Sequence, residues 1–493
     1  MTKMTKLFEK FLDTKNILTE KNQMLPFLSD WRGNYTGETM CVLLPETTKQ
    51  VSKIMKIASK EMIPIVPQGG NTGLVGGGIP DKSGNSVILS LSKMNKIRSF
   101  SINNKSMIVE AGCILQNIHD YAEKNKLYFP LNLAAKGSCN IGGNLATNAG
   151  GVNVLKYGNV RDLCLGLEIV LMSGETLNLL SPLRKDNTGY DLKNLFVGSE
   201  GTLGIITAAS LKLFPFPNAI GTAIAGIQSI SDGVELLSLL QSKFSGQIEA
   251  FEIMPSNLLK IILKHFPNYL PPIAPLPEYI ILMEISNPDK EYGIANNKGE
   301  IPIISQLEQF LEEAFEKKLI SDATIATNET KRRAFWELRE NASEAIKNEA
   351  PFEVSKISEI NNNHQKKALL NFDISVTCDN LQNFYNDASQ AVIKIHPSAR
   401  ICAFGHLGDG NFHFNIIDKQ DGDYLWNKNK RLIENEIYNV LFKYNGSISA
   451  EHGIGQLKSN LLKKTKDKVA LELMRDIKKL FDPKNLLNPG KIL

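Results

Sequence analysis

The 493-residue sequence lacks the features of a membrane, nucleic-acid-binding or metal-cluster protein. Its six cysteines form no C-x-x-C pair, which argues against iron–sulfur clusters and structural zinc and predicts reduced, mostly buried thiols. The longest apolar runs, such as Tyr279–Ile285, are far shorter than the ~20 residues of a membrane helix, so we expect no transmembrane segment. The formal charge of +4 is small, and no basic run carries interleaved aromatics. This composition predicts no nucleic-acid partner.

Two nucleotide-binding motifs are also missing. No glycine loop ends in Gly-Lys-Ser/Thr, which argues against nucleotide triphosphate hydrolysis, and no Gly-x-Gly-x-x-Gly lies between a strand and a helix, which leaves a Rossmann site unsupported. Near the N-terminus, Glu9, Asp13 and Glu20 interrupt the basic character of a transit peptide, and no signal-peptide core follows. We therefore expect a cytoplasmic protein with a short N-terminal packing helix, peripheral membrane contact being the less favoured alternative.

The most informative stretch that is present lies at residues 67–78, where six of twelve residues are glycine. Thr47 and Gln50 have the spacing of a capping box, with Val51, Ile54, Met55 and Ala58 on the inward face of the helix that follows. The strand Ile63–Val66 comes next, so the glycine loop leaves the end of a strand. Glycine backbone can fold into a concavity of N–H groups that binds an anion such as pyrophosphate. A surface loop without a ligand is the alternative.

Two further glycine-rich segments, 134–151 and 198–206, fall in the same half of the chain. Three such segments are more than one phosphate needs. They indicate a long ligand that passes close to backbone over much of its length, as a dinucleotide would.

The pattern changes after Pro215 and Pro217, where longer helices begin to alternate with strands. We predict an α+β protein whose second half is an antiparallel sheet covered by helices. The predicted divisions are an N-terminal helical segment at 1–35, a cofactor domain at 36–216, a substrate or cap domain at 217–455, and a C-terminal helical segment at 456–493 that returns to the first domain.

A second constellation combines histidines with a carboxylate in the second half. His406 ends one predicted strand, and in the next strand period two places His413 and Asn415 on one face. With Glu451, the two histidines form a three-ligand set that leaves a position open, zinc being the first choice and manganese or iron the alternatives. His452 is then a candidate neutral general base. Hydrogen-bonded loop histidines are the competing interpretation.

A third candidate group lies on the predicted helix 329–349. Arg339 and Ser343 are four residues apart and would share a helix face, where they could hold a substrate carboxylate. A solvated surface arginine is the alternative.

These motifs, together with residues 184–190, resemble the FAD-linked oxidases of the vanillyl-alcohol oxidase superfamily, and within it the D-2-hydroxyacid dehydrogenases. The resemblance runs from about Asp30 to the C-terminus. It implies the two-subdomain FAD-binding fold of that superfamily followed by an antiparallel-sheet cap domain. Because the loop at 67–78 contains no histidine or cysteine, we expect FAD to be bound non-covalently through it.

The resemblance also implies roles for individual residues. The cofactor-binding residues would be Pro67, Gly69, Gly70, Asn71, Thr72, Gly73, Leu74, Ser138, Gly143, Thr147, Glu200, Gly204, Ile205, Asn411 and Asn488. The metal ligands would be His406, His413 and Glu451, and the substrate contacts would be Arg339, Ser343, Asn415 and His452, with His452 as the catalytic base.

The implied reaction oxidises a D-2-hydroxyacid, D-2-hydroxyglutarate or D-lactate, to the 2-oxoacid with hydride transfer to flavin N5. Family members that act on hydroxyglutarate have lysine two residues before the Asp of the strand Phe372–Val376, where this chain has Asn371. Lys366 or Lys367 could replace that charge, so the two substrates remain close alternatives. The electron acceptor would be a quinone or an electron-transfer flavoprotein, and a homodimer is the default oligomer.

Two rival functions stay open at this point. One is a zinc hydrolase whose glycine loop binds a phosphate-bearing substrate. The other is a flavin-binding protein without turnover, which the replacement at Asn371 prompts.

Overall fold

The computed structural model describes residues 5–353, 366–419, 422–423 and 425–493. The chain divides into two compact units. The first contains the chain up to Gly151, then Tyr157–Phe216 and Glu451–Leu493, whereas the second contains Val152–Lys156 and Pro217–Ala450. None of the helices in these described ranges combines the length and apolar character needed to cross a membrane.

The first unit is built on a mixed sheet and an antiparallel sheet. Its strands are β1 (Ile17–Leu18), β2 (Cys41–Leu43), β3 (Ile65–Gln68), β4 (Val87–Ser90), β5 (Ile97–Ser101), β6 (Ser106–Glu110), β7 (Leu127–Tyr128), β8 (Cys164–Val170), β9 (Thr176–Asn178), β10 (Ile205–Lys212) and β11 (Phe214–Pro215). The mixed sheet has the order β1-β2-β4-β3, in which β2 and β3 run parallel to β4. The antiparallel sheet has the order β5-β6-β10-β8-β9, and β7 pairs with β11.

The helices of the first unit pack on these sheets. They are α1 (Thr5–Phe8), α2 (Lys21–Met24), α3 (Thr48–Glu61), α4 (Leu115–Lys124), α5 (Ile141–Ala146), α7 (Lys193–Phe196), α15 (Ser459–Thr465) and α16 (Lys468–Phe481). The short helix α6 (Val154–Tyr157) contains the point after Lys156 at which the chain passes from the second unit back to the first.

The N-terminus of α3 is capped as the sequence predicts. The side chain of Thr47 accepts a hydrogen bond from the Gln50 N–H, and the four apolar residues predicted to face inward are fully buried. The Gln50 side chain accepts from the N–H of Glu46 rather than from that of Thr47. The predicted cap is therefore confirmed, although its return bond lies one residue earlier.

The second unit is one antiparallel sheet covered by helices, which confirms the predicted architecture. Its strands are β12 (Ala219–Ile227), β13 (Ile248–Pro255), β14 (Tyr279–Asn287), β15 (Asp322–Ile325), β16 (Leu369–Ser375), β17 (Arg400–His406) and β18 (Asn411–Ile417). They lie in the order β15-β12-β14-β13-β17-β18-β16. The helices are α8 (Ile230–Lys243), α9 (Ser256–His265), α10 (Pro302–Glu316), α11 (Glu329–Glu340), α12 (Ala342–Glu349), α13 (Leu381–Ile395) and α14 (Trp426–Lys443).

The predicted helix at 329–349 is wrong as a single element. The structure divides it at Asn341, which ends α11 and begins α12. Arg339 is buried near the end of α11, and Ser343 is exposed in α12. The shared helix face predicted for these two residues is therefore wrong, as is the alternative of a solvated surface arginine.

All six cysteines are free thiols, five of them buried, as predicted. They are Cys41, Cys113, Cys139, Cys164, Cys378 and Cys402. Burial raises the pKa of the Cys41 and Cys402 thiols to about 12, so these side chains behave as small apolar core residues.

Candidate FAD cleft and histidine site

The three glycine-rich segments line one cleft in the first unit. The cleft encloses about 1050 Å³ of empty space, part of it open to solvent. Its wall is formed by residues of the loop at 67–79, of the segment 139–147 around α5, and of the segment 200–206 that leads into β10. The prediction that these segments act together on one elongated ligand thus has a structural basis.

The loop at 67–78 is held by side chains as well as by β3. Gln68, the last residue of β3, donates from Nε2 to the carbonyls of Phe27 and Gly78 at 3.0 and 2.8 Å and so closes the base of the loop. Asn71 has a φ of 53° and donates from Nδ2 to the Ser29 carbonyl at 2.8 Å. The loop is therefore a braced wall, and the alternative of an idle surface loop is not supported.

Backbone at the cleft is open where a ligand would need it. A Cβ added at Gly73 or Gly143 would meet nothing within 4 Å, so the missing side chains leave space for a ligand. The Oδ1 atoms of Asn140 and Asn144, both at the cleft wall, are buried and lack a hydrogen-bond partner among the described residues. Open backbone beside unpaired polar atoms fits a long polar cofactor such as FAD.

Most, but not all, of the predicted cofactor residues line this cleft. Those on its wall are Pro67, Gly69, Gly70, Asn71, Thr72, Gly73, Gly143, Thr147, Glu200, Gly204 and Ile205. Leu74, Ser138 and Asn488 belong to the same unit but are not on the wall, and Asn411 belongs to the second unit.

Asn488 and Glu200 have bracing contacts within the first unit. The Asn488 amide donates to the carbonyls of Glu200 and Gly77 at 2.8 and 3.1 Å. The Glu200 carboxylate accepts the N–H groups of Ile454 and Gly455 at 2.6 and 2.7 Å. Burial raises the pKa of Glu200, and these two hydrogen bonds oppose that rise. Glu200 thereby holds the segment that follows His452.

His452, the predicted base, lies on the wall of the same cleft. It belongs to the first unit, as does Glu451, whose Oε1 accepts the Gly151 N–H at 2.9 Å. A neutral imidazole at this wall can accept a proton from a group presented to the cleft.

His406 and His413 come together in the second unit. They lie on the adjacent strands β17 and β18, with ring centroids 5.6 Å apart. His413 is directly opposite Phe404 on one side and Asp373 of β16 on the other, while Asn415 is opposite Cys402 and Asn371. The predicted common face of His413 and Asn415 is consistent with this register.

Asn411 and its neighbours shape the turn between these strands. Gly410 has a φ of +68°, and an added Cβ would lie 2.0 Å from the Val376 carbonyl oxygen, so only glycine fits there. The Asn411 amide donates to Asp373 Oδ1 and to the Ile374 carbonyl at 3.1 and 2.9 Å. The amide of Asn411 thus orients a carboxylate beside His413, which is a role that the sequence did not predict.

Glu252 of β13 contacts two of the predicted site residues, although the sequence analysis did not identify it. Its Oε1 is 2.5 Å from Nδ1 of His406, and its Oε2 accepts from Nε of Arg339 at 2.6 Å. Burial would raise the pKa of Glu252, but the interactions with His406 and Arg339 outweigh it and hold that pKa below its usual value. Because β13 is buried along its whole length, no alternating pattern marks this glutamate in the sequence.

The position of Asn371 is exposed on β16, opposite Asn415. Lys367 donates from Nζ to the Ala350 carbonyl at 2.7 Å and lies 4.2 Å from the Phe352 ring centroid, so it is committed to a local contact. Residues 354–365 of the preceding stretch lie outside the described ranges. Among the residues considered as replacements for the missing charge, Lys366 is the exposed one.

Comparison with known proteins places this fold in the flavoprotein class. Residues 39–180 match the family model described as FAD binding domain, and residues 216–492 match FAD linked oxidases, C-terminal domain. The chain belongs to the family of FAD-linked oxidases, as predicted, and its cofactor is FAD.

Related proteins cover nearly the whole chain. It is 36% identical to "D-2-hydroxyglutarate dehydrogenase, mitochondrial" of Arabidopsis thaliana, in an alignment that covers 99% of this chain and 80% of that protein. It is 37% identical to the protein of the same name from Danio rerio, in an alignment that covers 94% of this chain and 80% of that protein. It is 32% identical to the D-2-hydroxyglutarate–pyruvate transhydrogenase of Saccharomyces cerevisiae, in an alignment that covers 99% of this chain and 93% of that protein.

Solved structures confirm the predicted fold. The chain superposes on p-cresol methylhydroxylase with a TM-score of 0.74 and 17% identity, over 99% of this chain and 96% of that one. For alkyldihydroxyacetonephosphate synthase the TM-score is 0.69 with 18% identity, over 98% and 84% of the two chains. These likenesses establish the two-domain flavoprotein fold.

Proposed function

We propose that this protein is an FAD-dependent dehydrogenase that oxidises a D-2-hydroxyacid to the 2-oxoacid and passes electrons to an acceptor other than NAD. The observation that carries the proposal is the position of His452 on the wall of the FAD cleft. This position supports the proposal that His452 accepts the substrate proton while FAD, bound in the same cleft, accepts the hydride. The names of the relatives, at 32–37% identity, support the substrate class.

In this proposal, different residues bind the substrate and accept its proton. When bound, FAD supplies a two-electron acceptor for the hydride of the substrate C2. A ring nitrogen of His452 takes the proton of the 2-hydroxyl group, so the carbon–hydrogen bond and the oxygen–hydrogen bond are both broken. Arg339 binds the substrate carboxylate through its terminal amino groups, and Asn415 contributes a polar contact.

A divalent metal is a further part of the proposal. His406 and His413 offer imidazole nitrogens near one another, and the carboxylate beside Nδ1 of His406 is the usual companion of a metal-bound histidine. Glu451 remains the third ligand predicted by the sequence, and zinc the first choice of metal. Such an ion would act as a Lewis acid on the 2-hydroxyl and carboxylate of the substrate.

Anaerobic flavin bleaching tests the reaction. Purified FAD-loaded protein is mixed with D-2-hydroxyglutarate, D-lactate and D-malate, with the L-enantiomers as stereochemical controls. Loss of the yellow flavin band with at least one D-acid, and with none of the L-acids, is expected. A protein that binds FAD but is bleached by no member of the panel would refute the dehydrogenase and support a flavin-binding protein without turnover. Unchanged bleaching after verified metal removal would remove the metal from the proposal.

The same panel ranks the substrates. D-2-hydroxyglutarate carries a second carboxylate and D-lactate does not, and Asn371 offers no charge to that carboxylate. The ratio of kcat/KM for the two acids therefore measures how much a distal carboxylate contributes to binding in this chain. Quinone and electron-transfer flavoprotein are the acceptors to compare in steady state.

A further inference from the structure

A buried carboxylate links two of the proposed site residues in the second unit. Glu252 lies between His406 and Arg339 and contacts one with each carboxylate oxygen, at 2.5 and 2.6 Å. The Glu252 side chain is 1% exposed, and those of His406 and Arg339 are 7% and 10% exposed. The three side chains come from β17, β13 and α11, so tertiary structure alone brings them together.

The contact with Glu252 determines which nitrogen of His406 carries a proton. An ionised carboxylate can only accept hydrogen bonds, so Nδ1 of His406 must be the donor. In the neutral imidazole with a proton on Nδ1, the ring lone pair resides on Nε2, which is then the nitrogen able to act as a metal ligand. A partner that donated to Nδ1 would favour the opposite tautomer and place a proton on Nε2.

The same carboxylate orients Arg339. It engages Nε, and no other hydrogen bond to this guanidinium is found within the described residues. Its plane is also supported by the Phe404 ring, whose centroid is 4.7 Å from Cζ. The two terminal amino groups therefore keep the paired geometry that suits a carboxylate.

Glutamine, the isostere of glutamate, cannot perform both tasks. Glu252 presents two acceptors to two donors, whereas glutamine presents one acceptor and one donor. A glutamine that accepts from His406 turns its amino group toward Nε of Arg339, and one that accepts from Arg339 donates to His406. Either choice disturbs one of the two proposed ligand-binding side chains.

We propose that Glu252 is a positioning residue that fixes the Nδ1–H tautomer of His406 and the orientation of Arg339 with a single carboxylate. This inference rests on the proposed function for the roles of His406 and Arg339. The contacts it explains lie entirely within the second unit, so the tautomer can be measured without turnover.

The chain contains a matched control for this arrangement. Glu349, in the same unit, is also a buried carboxylate shared between an arginine and a histidine, since it contacts Arg400 at 2.6 Å and His265 at 2.8 Å. It has no part in the proposed site. Replacing Glu349 by glutamine thus removes a comparable network and reports the effect of structural loss alone.

The experiment compares Glu252→Gln, Glu252→Asp and Glu349→Gln in the full chain loaded with FAD. Zinc affinity is measured by competition with a chromophoric chelator, and the tautomer of His406 by NMR of the metal-free protein labelled with ¹⁵N-histidine. We expect Glu252→Gln to weaken zinc binding by about 10- to 100-fold and to change the His406 signal. It should also raise KM for the D-2-hydroxyacid. Glu252→Asp, which keeps both acceptors, should recover part of each property, and Glu349→Gln should match the wild type in all three.

Equal zinc affinity and equal His406 signals in Glu252→Gln and Glu349→Gln would overturn the proposal. If Glu252→Gln does not fold, Glu252→Asp is compared with Glu349→Asp, and a loss of zinc affinity confined to the former supports the proposal while equal affinities refute it. Absence of flavin bleaching by any acid in the wild type would refute the dehydrogenase instead. In that case, or if the wild type binds no zinc, the NMR comparison still decides the role of Glu252.

Discussion

The Glu200 carboxylate accepts the backbone N–H of Ile454 at 2.6 Å, across a sequence separation of 254 residues. Glu200 lies on the wall of the FAD cleft, and its second oxygen accepts the next N–H, that of Gly455. Two consecutive amides directed at one carboxylate form an anion-binding nest made by the protein for its own side chain. The segment carrying His452 is thereby attached to the cleft wall.

Glu200→Gln tests this attachment. Glutamine offers one acceptor where the two amides need two, so we expect a loss of about 1–3 kcal/mol in the free energy of unfolding. The amides of residues 454 and 455 should exchange faster with solvent in hydrogen-exchange mass spectrometry. Glu200→Asp keeps both acceptors on a shorter arm and serves as the control. Unchanged exchange in the glutamine variant would show that other contacts hold this segment.

Alanine substitutions at the neighbouring residues Gly142 and Gly143 should have opposite effects on stability. A Cβ at Gly142 would lie 2.6 Å from the Cβ of Ala111, so Gly142→Ala should destabilise the protein by about 1–3 kcal/mol through overpacking. A Cβ at Gly143 meets nothing within 4 Å, and alanine favours α5 more than glycine does. Gly143→Ala should therefore be neutral or stabilising by up to about 1 kcal/mol, as chemical denaturation would show.

A larger side chain at position 143 tests the cofactor path. Gly143→Leu should keep the stability of the FAD-free protein but weaken FAD binding, because the side chain extends into the cleft. The dissociation constant for FAD, from flavin fluorescence, is the measurement. Wild-type affinity in this variant would mean that the cofactor does not pass this wall.

The sequence predicted these glycine segments well because their function is encoded locally. The glycine content of residues 67–78 is visible in the sequence without knowledge of the fold. The capping residue Thr47 and the buried face of α3 follow from the spacing of residues within one helix. The face shared by His413 and Asn415 follows from the period of one strand. Each of these predictions needed only residues close together in the chain.

The rest of the site depends on contacts that spacing does not carry. Glu252 is 154 residues from His406 and 87 residues from Arg339, and it lies in a strand buried on both faces, where a charged residue is unexpected. The sequence predicts one long helix that carries both Arg339 and Ser343, because helical periodicity continues through Asn341, where the structure nevertheless ends α11. The structure therefore differs from the sequence predictions where the contacts of a residue come from parts of the chain that are distant in sequence.

Acid stability should depend on Glu349. Burial would raise its pKa, but hydrogen bonds from Lys264, Arg400 and His265 lower that pKa from 4.5 to about 2. A carboxyl whose pKa is lower in the folded state stabilises the fold above its unfolded pKa, and this contribution is lost as the pH falls from about 4.5 toward 2.

Glu349→Gln should remove this part of the pH dependence. We expect a loss of about 1–3 kcal/mol near neutral pH and a smaller difference from the wild type at the acid end of the window. Urea unfolding of both proteins at several pH values between 2.5 and 7 measures it. A difference that stays constant over this range would show that ionisation of Glu349 does not stabilise the fold.

His452→Gln should separate chemistry from cofactor binding. Glutamine keeps a polar side chain of similar length but cannot accept the substrate proton as a base, so we expect flavin reduction to slow by about 10²- to 10⁴-fold while FAD stays bound. His119→Gln is the matched control, because His119 is in the same unit, its Nε2 is 2.8 Å from the Leu131 carbonyl oxygen, and it is not on the cleft wall. Burial lowers the pKa of His119 to about 4, so it is neutral under assay conditions near neutral pH. Stopped-flow bleaching with a D-2-hydroxyacid measures both variants. A His452→Gln protein that loses its yellow colour would assign His452 to cofactor binding, and one that reduces flavin at the wild-type rate would show that another group accepts the proton.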